Sequence, residues 1–124
     1  MPGRLRPLPA TELAFLLARL DEAERADLEP STDDVRAAVK HYLAVLTMRA
    51  PGKSVEVRVP PYAVAQCIAG ARHTRGTPPA VVETDAHTWL ALARGRSTFA
   101  DEQRAGRLRA SGERSDLSPV LPLT

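Results

Sequence analysis

The chain contains 124 residues, of which 44% are hydrophobic and 26% are charged, a balance typical of one globular domain with a single core. The net charge is only +2 and the arginines are scattered along the chain, so nucleic acid is not expected as a partner. The single cysteine excludes an internal disulfide and a Cys-cluster zinc site. No apolar run reaches the roughly 20 residues of a transmembrane helix. The proline-rich N-terminus does not resemble a signal peptide, so a cytoplasmic protein is expected.

Two amphipathic helices are predicted in the first 50 residues. The first is expected to be capped by Thr11 and to end at Glu29-Pro30. The second follows the capping segment Ser31 to Asp34 and ends at Pro51-Gly52. One face of the first helix carries four leucines at i, i+3, i+4 and i+7, namely Leu13, Leu16, Leu17 and Leu20. This leucine stripe either packs on the chain's own sheet or docks to a partner, including a second copy in a homodimer.

Strands are predicted after Gly52, where the hydrophobic period changes from 3.6 to 2. Every second residue between Ser54 and Val59 is valine, so we expect a half-buried strand with the valines inward. Pro60-Pro61 cannot donate to a ladder and is expected to end this strand. Further strands are predicted over residues 62–68, 80–84 and 107–111.

Two short helices and an apolar tail are predicted in the C-terminal half. Asp85 is expected to cap a helix that Gly95 ends, and Thr98 with Asp101 resembles the capping box of the next helix. The apolar tail, residues 116–123, is expected to lay one helical turn on the core. This order of elements favours an α+β fold in which helices cover one face of a mainly antiparallel sheet.

No catalytic constellation is recognisable in the sequence. The histidines are far apart and lack partners at ligand spacing, so neither a metal nor a cofactor is expected, and His41 is expected to be solvated on a charged helix face. Cys67 would need a lowered thiol pKa to act as a nucleophile. The favoured interpretation of Cys67 is a small buried side chain in a strand.

Two other features leave alternatives open. The loop around Arg72, His73 and Arg75 could bind an anion, because guanidinium groups bind carboxylates and phosphates in a planar, bidentate manner. It could also be a solvated hairpin loop. The apolar residues of the short C-terminal helices and tail could close into a packed core or leave a cavity for an apolar ligand.

Several C-terminal segments resemble sterol carrier protein-2-like domains. Residues 81–95 (VVETDAHTWLALARG) are similar to a strand with an acidic cap, followed by an apolar helix that a glycine closes, and residues 105–112 (AGRLRASG) are similar to the closing strand. Residues 50–61 and 72–79 resemble a small actinobacterial branch of the same superfamily. The apolar tail 116–123 also matches.

The resemblance covers about residues 33–123 and implies a domain organisation. A sterol carrier-like domain would span residues 31–124, after an N-terminal extension of residues 1–30 that contains one helix. The implied sheet has about five strands, is mainly antiparallel, and encloses a hydrophobic tunnel beneath its helices.

The function that the resemblance implies is non-catalytic binding of a lipid-like or other amphipathic small molecule, with transfer as a further option. The alternative is an accessory domain of a mycothiol-dependent isomerase-type enzyme that acts with a separate partner chain. The expected ligand contacts are an apolar set for the chain and a basic set for an anionic head, namely Val57, Val64, Trp89, Leu92, Phe99 and Leu117, and Arg72, His73 and Arg75.

Overall fold

The fold follows the predicted order of elements in a computed structural model that describes residues 5–70, 80–112 and 115–124. The helices are α1 (Ala10–Arg25), α2 (Thr32–Arg49), α3 (Ala86–Ala93) and α4 (Phe99–Arg104). The strands are β1 (Val55–Val59), β2 (Ala63–Cys67), β3 (Ala80–Thr84) and β4 (Leu108–Ser111). A 3₁₀ turn, Ser118–Val120, lies in the apolar tail, as expected.

The helix starts depend on side-chain caps, and three of the predicted caps are confirmed. Ser31, Asp85 and Thr98 each accept a hydrogen bond from the backbone amide three residues later, at 2.8 to 3.1 Å. These bonds satisfy amide groups that have no partner within the first helical turn. The predicted cap at Thr11 is wrong, because α1 already begins at Ala10 after Pro9 and no side chain of the described chain caps it.

The sheet has the strand order β2-β1-β3-β4. The pairs β1–β2 and β3–β4 are antiparallel, whereas β1 and β3 run parallel. The sheet is therefore mainly antiparallel, as predicted. The expectation of about five strands is wrong for the described residues, which contain four, the number that the alternating patterns themselves indicated. The parallel pair arises because the β1–β2 hairpin returns the chain to the beginning of β1, and β3 starts there.

The helices cover one face of the sheet, as predicted. Val55, Val57 and Val59 are fully buried on that face, because alternate side chains of a strand point to opposite sides. Trp89 of α3 is also fully buried, and its Nε1 donates a hydrogen bond to the carbonyl oxygen of Val39 in α2 at 3.3 Å. The sheet, α2, α3, α4 and the apolar tail therefore share one core.

Two leucines of the α1 stripe are buried against other helices, and Leu17 also packs against the main core. Leu16 and Leu20 are buried against Ala38 of α2, and Leu90 of α3 packs against the same group. Asp21 reinforces this contact by accepting hydrogen bonds from the end of α3 and the residues after it, which lower the pKa of its carboxyl group. Leu16 and Leu20 are therefore buried within the chain, whereas Leu13 and Leu17 are partly exposed, and docking of the stripe to a partner or a second copy stays a prediction.

His41 is buried, and the prediction of a solvated histidine is wrong. Its side chain is 5% exposed, its Nδ1 accepts a hydrogen bond from the Leu8 amide at 2.9 Å, and its ring meets Tyr42 edge-on at 4.8 Å between ring centroids. Leu5 and Leu8 also pack against the two hydrophobic clusters. Residues 5–9 therefore lie along α2 and bury a position that the helical pattern alone assigns to solvent.

We expect the free energy of unfolding to fall as the pH drops below about 6.5, the usual pKa of histidine in an unfolded chain. Burial lowers the pKa of His41 in the folded protein, so the unfolded chain takes up the proton first and acid favours unfolding. The contribution of neutral His41 to the free energy of unfolding is fully present above that pH. It is lost as the pH falls, and no more is lost once the pH lies below the pKa of His41 in the folded protein. Protonation also converts Nδ1 into a donor that faces the donating Leu8 amide.

Urea titrations at several pH values between about 5 and 7.5 test this dependence across the titration range of histidine. The informative variant is His41→Asn, whose side-chain oxygen can accept the Leu8 hydrogen bond without titrating. The exposed His87 provides the control, His87→Asn. An equal pH slope for wild type and His41→Asn would contradict the prediction.

Candidate functional site

Five of the six apolar residues predicted to contact a ligand lie together in the closed core. They are contributed by β1, α3, α4 and the apolar tail, and each is at most 4% exposed: Val57, Trp89, Leu92, Phe99 and Leu117. Protein interiors are generally close-packed and leave few voids larger than a water molecule. A ligand among these five side chains would have to separate the helices from the sheet.

Val64, the sixth residue, lies on the opposite face of the sheet and is 51% exposed. Val57 pairs with Ala65 across the β1–β2 hairpin, so Ala65 points into the core and its neighbour Val64 points outward. Val64 therefore does not share a site with the other five. The predicted basic set, Arg72, His73 and Arg75, lies outside the described residues.

An open cleft of about 440 Å³ lies where three segments that are distant in sequence meet. We call it the apolar cleft, because six of its seven lining residues are apolar. It is bounded by the end of α2, the residues after β2 and the apolar tail, and its lining is Ala50, Pro51, Ile68, Ala69, Asp116, Pro119 and Val120. Sequence reasoning missed this site, since it treated Pro51 only as a helix breaker and expected any cavity beside the tail to lie among the short C-terminal helices.

The wall of the apolar cleft is built around an unusual backbone conformation at Ile68. Its φ of +64° is rarely adopted by a β-branched residue. The Ile68 amide donates to the carbonyl oxygen of Ala50 at 2.6 Å, and the Ile68 carbonyl accepts from the amide of Ser54 at 3.0 Å and from its hydroxyl at 2.6 Å. Backbone strain of this kind persists only where surrounding contacts hold it and is concentrated at ligand sites.

Asp116 is the charged residue among those that line the apolar cleft. Its Oδ1 accepts a hydrogen bond from the Ser118 amide at 2.9 Å, and its hydrogen bonding to Ser118 lowers the pKa of the carboxyl group. The side chain is therefore an anion at neutral pH. It disfavours a second negative charge close to it and can accept a hydrogen bond from a hydroxyl group.

The remaining candidates for chemistry are placed as follows. Cys67 is fully buried, and burial raises the pKa of its thiol to about 11, which confirms a small buried strand residue and argues against a nucleophile. In residues 5–70, 80–112 and 115–124, no three His, Cys, Asp or Glu side chains are grouped so that they could hold a metal ion. Within the same ranges, every helix is too short or too polar to cross a membrane.

Comparisons with known proteins identify the family. Residues 31–123 match the family model described as bacterial SCP ortholog, where SCP denotes sterol carrier protein. No curated protein matches the chain. The family match covers about three quarters of the chain, including the whole sheet and every residue that lines the apolar cleft. Sterol carrier protein-like domains are generally binding or carrier domains. The match therefore suggests lipid binding in general. The chain therefore belongs to the bacterial SCP ortholog family of sterol carrier protein-like domains.

Proposed function

We propose that this protein binds a lipid-like or other amphipathic small molecule, without catalysing a reaction on it, and that the apolar cleft holds the apolar part of the ligand. The observation that carries the proposal is the lining of this cleft, which combines six apolar residues with one carboxylate around about 440 Å³. Small-molecule sites typically have volumes of about 300 to 1,000 Å³ and a mainly apolar lining with a few polar groups.

The volume of the apolar cleft suits part of an acyl chain. Burial of about six methylenes would contribute about 5 kcal/mol, at about 0.8 kcal/mol each. Loss of translational and rotational freedom offsets part of this gain. We therefore expect weak, exchangeable binding, with an affinity that increases with chain length until the cleft is full. Exchangeable binding is what a carrier requires.

This proposal differs from the tunnel that the resemblance implies. The five closed-core residues are the competing site, and a ligand reaches them only if α3 separates from the sheet. The two sites make different predictions. A substitution at the rim of the apolar cleft should weaken binding in that cleft and leave binding in the closed core unchanged. Ala69 is exposed and lines that cleft, so it can be enlarged without disturbing the core.

The test is titration of delipidated protein with fatty alcohols and fatty acids of increasing chain length, followed by native mass spectrometry. Ala69→Phe fills the rim of the apolar cleft and should weaken binding by at least about tenfold, equivalent to about 1.4 kcal/mol. The matched control is Ala100→Phe, because Ala100 is an exposed alanine of α4 outside the cleft. The proposal fails if stripped wild type takes up no member of the series, or if Ala69→Phe binds as tightly as wild type.

The same titration identifies the preferred head group. Because the Asp116 carboxylate stands beside the apolar cleft, we expect alcohols to bind more tightly than acids of equal length. The opposite order would favour the anionic head that the sequence predicts near Arg72 and Arg75. In that case Arg72→Ala and Arg75→Ala should each weaken the binding of acids and leave the binding of alcohols unchanged.

A further inference from the structure

A second cleft, which we call the charged cleft, lies at the other end of the sheet. Its volume is about 430 Å³, and it is lined by Pro60, Glu83, Thr84, Asp85, Gly106, Arg107 and Arg109. The parallel strands β1 and β3 both end there. The apolar cleft lies beyond the end of β2, which is at the opposite end of the sheet along the strand direction. Strands of five residues separate the two ends by about 16 Å.

Two of the charged side chains in this cleft are held in place by the protein itself. Arg107 donates to the carboxylate of Glu102 through Nε at 2.5 Å and through Nη2 at 3.1 Å, and Glu102 is 6% exposed. Asp85 caps α3 and accepts from the amide and the hydroxyl of Thr88 at 2.8 and 3.0 Å. These bonds fix the positions of one cation and one anion, while further N–H groups of Arg107 stay available.

Two other side chains, Glu83 and Arg109, are opposite in charge and lack a partner among the described residues. They face each other in the β3–β4 register on the outer face of the sheet. Directly paired residues have Cβ atoms about 5 Å apart, yet no ion pair joins these two in the described part of the chain. Arg58, the neighbour of Glu83 on the other side, is engaged with Glu56 at 3.3 Å. Glu83 and Arg109 thus present separate charges to the same cleft.

We infer that the charged cleft binds a small zwitterion that carries one carboxylate and one ammonium group, as amino acids do. The carboxylate pairs with Arg109 and with the unused N–H groups of Arg107, and the ammonium group pairs with Glu83. A simple anion would meet Glu83 and Asp85, and a simple cation would meet two guanidinium groups, so each would be partly repelled. This inference is independent of the proposed function, because the two clefts share no lining residue.

The experiment is a titration of isotope-labelled protein followed by amide NMR shifts at constant ionic strength. The probes are glycine, β-alanine and 4-aminobutyrate, compared with acetate and methylammonium. At least one zwitterion should shift the amides that line the charged cleft and bind at least about tenfold more tightly than either singly charged probe, a difference of about 1.4 kcal/mol.

Two variants test which residue binds each charged group of the zwitterion. Glu83→Gln and Arg109→Gln should each weaken binding of the zwitterion by about tenfold, equivalent to about 1.4 kcal/mol. The matched control is Arg104→Gln, because Arg104 is an exposed arginine of α4 that pairs with Asp101 outside the cleft; this variant should bind like wild type. The inference is overturned if acetate binds as tightly as every zwitterion, or if no probe shifts the lining amides. If a variant fails to fold, the relative affinities of the probes for the wild-type protein still test the inference.

Discussion

Replacement of Trp89 by alanine should lower the free energy of unfolding by about 3 to 5 kcal/mol, the usual cost of truncating a buried aromatic side chain. Trp89 is fully buried and is the largest side chain of the core. Its Nε1 donates to the Val39 carbonyl at 3.3 Å, so the ring joins α3 to α2 across 50 residues of sequence. Alanine would remove the ring contacts and this bond and leave a cavity between the helices and the sheet.

Urea unfolding followed by circular dichroism measures this loss. Tryptophan fluorescence is unsuitable, because the variant lacks the only tryptophan of the chain. Small domains have a total stability of about 5 to 15 kcal/mol, so Trp89→Ala could unfold outright. Trp89→Phe is therefore the second variant and should lose about 1 to 2 kcal/mol, because it keeps a ring but not the hydrogen bond. Phe15→Ala is the control, since Phe15 is 65% exposed.

The outcome also bears on the competing ligand site. If Trp89→Ala costs less than about 1 kcal/mol, well below the usual range for a packed aromatic residue, the layer between α3 and the sheet is loosely packed. That result would contradict the closed core described above. It would favour the hydrophobic tunnel that the family resemblance implies, with Trp89 and Leu92 as lining residues.

Gly52→Ala should destabilise the protein by about 2 to 4 kcal/mol through overpacking and backbone strain. A Cβ atom at Gly52 would lie 2.2 Å from the carbonyl carbon and oxygen of Ile68, which is closer than van der Waals contact permits. The Gly52 φ of +148° is also unfavourable for any residue with a side chain. Because Ile68 forms the wall of the apolar cleft, the substitution should weaken lipid binding as well.

Gly106→Ala is the matched control for Gly52→Ala. Gly106 also has a positive φ, of +77°, but a Cβ atom there would meet nothing within 4 Å. The free energy of unfolding of Gly106→Ala should fall by only about 1 to 2 kcal/mol, the cost of placing a residue with a side chain in the left-handed region. The difference between the two variants in a chemical unfolding experiment isolates the steric contact with Ile68. Equal losses would show that this contact is not what requires glycine at position 52.

The features that sequence alone determined are local ones. Ser31, Asp85 and Thr98 were predictable as helix caps, because the capping bond spans only three residues. The alternation of valines from Val55 to Val59 likewise predicted which face of β1 is buried. The end of α2 follows from Pro51-Gly52, since proline and glycine interrupt a helix wherever they occur.

The tertiary structure alone decided which distant segments meet. His41 is buried because the chain near Leu8, 33 residues earlier, lies along α2, a contact that helical periodicity does not encode. The outward position of Val64 depends on the register of the β1–β2 hairpin, because the β2 sequence AVAQC has no clear alternation of large apolar and polar residues. Both clefts are lined by segments far apart in sequence. A binding site of this kind is a property of the fold, since its volume exists only after the segments have packed together.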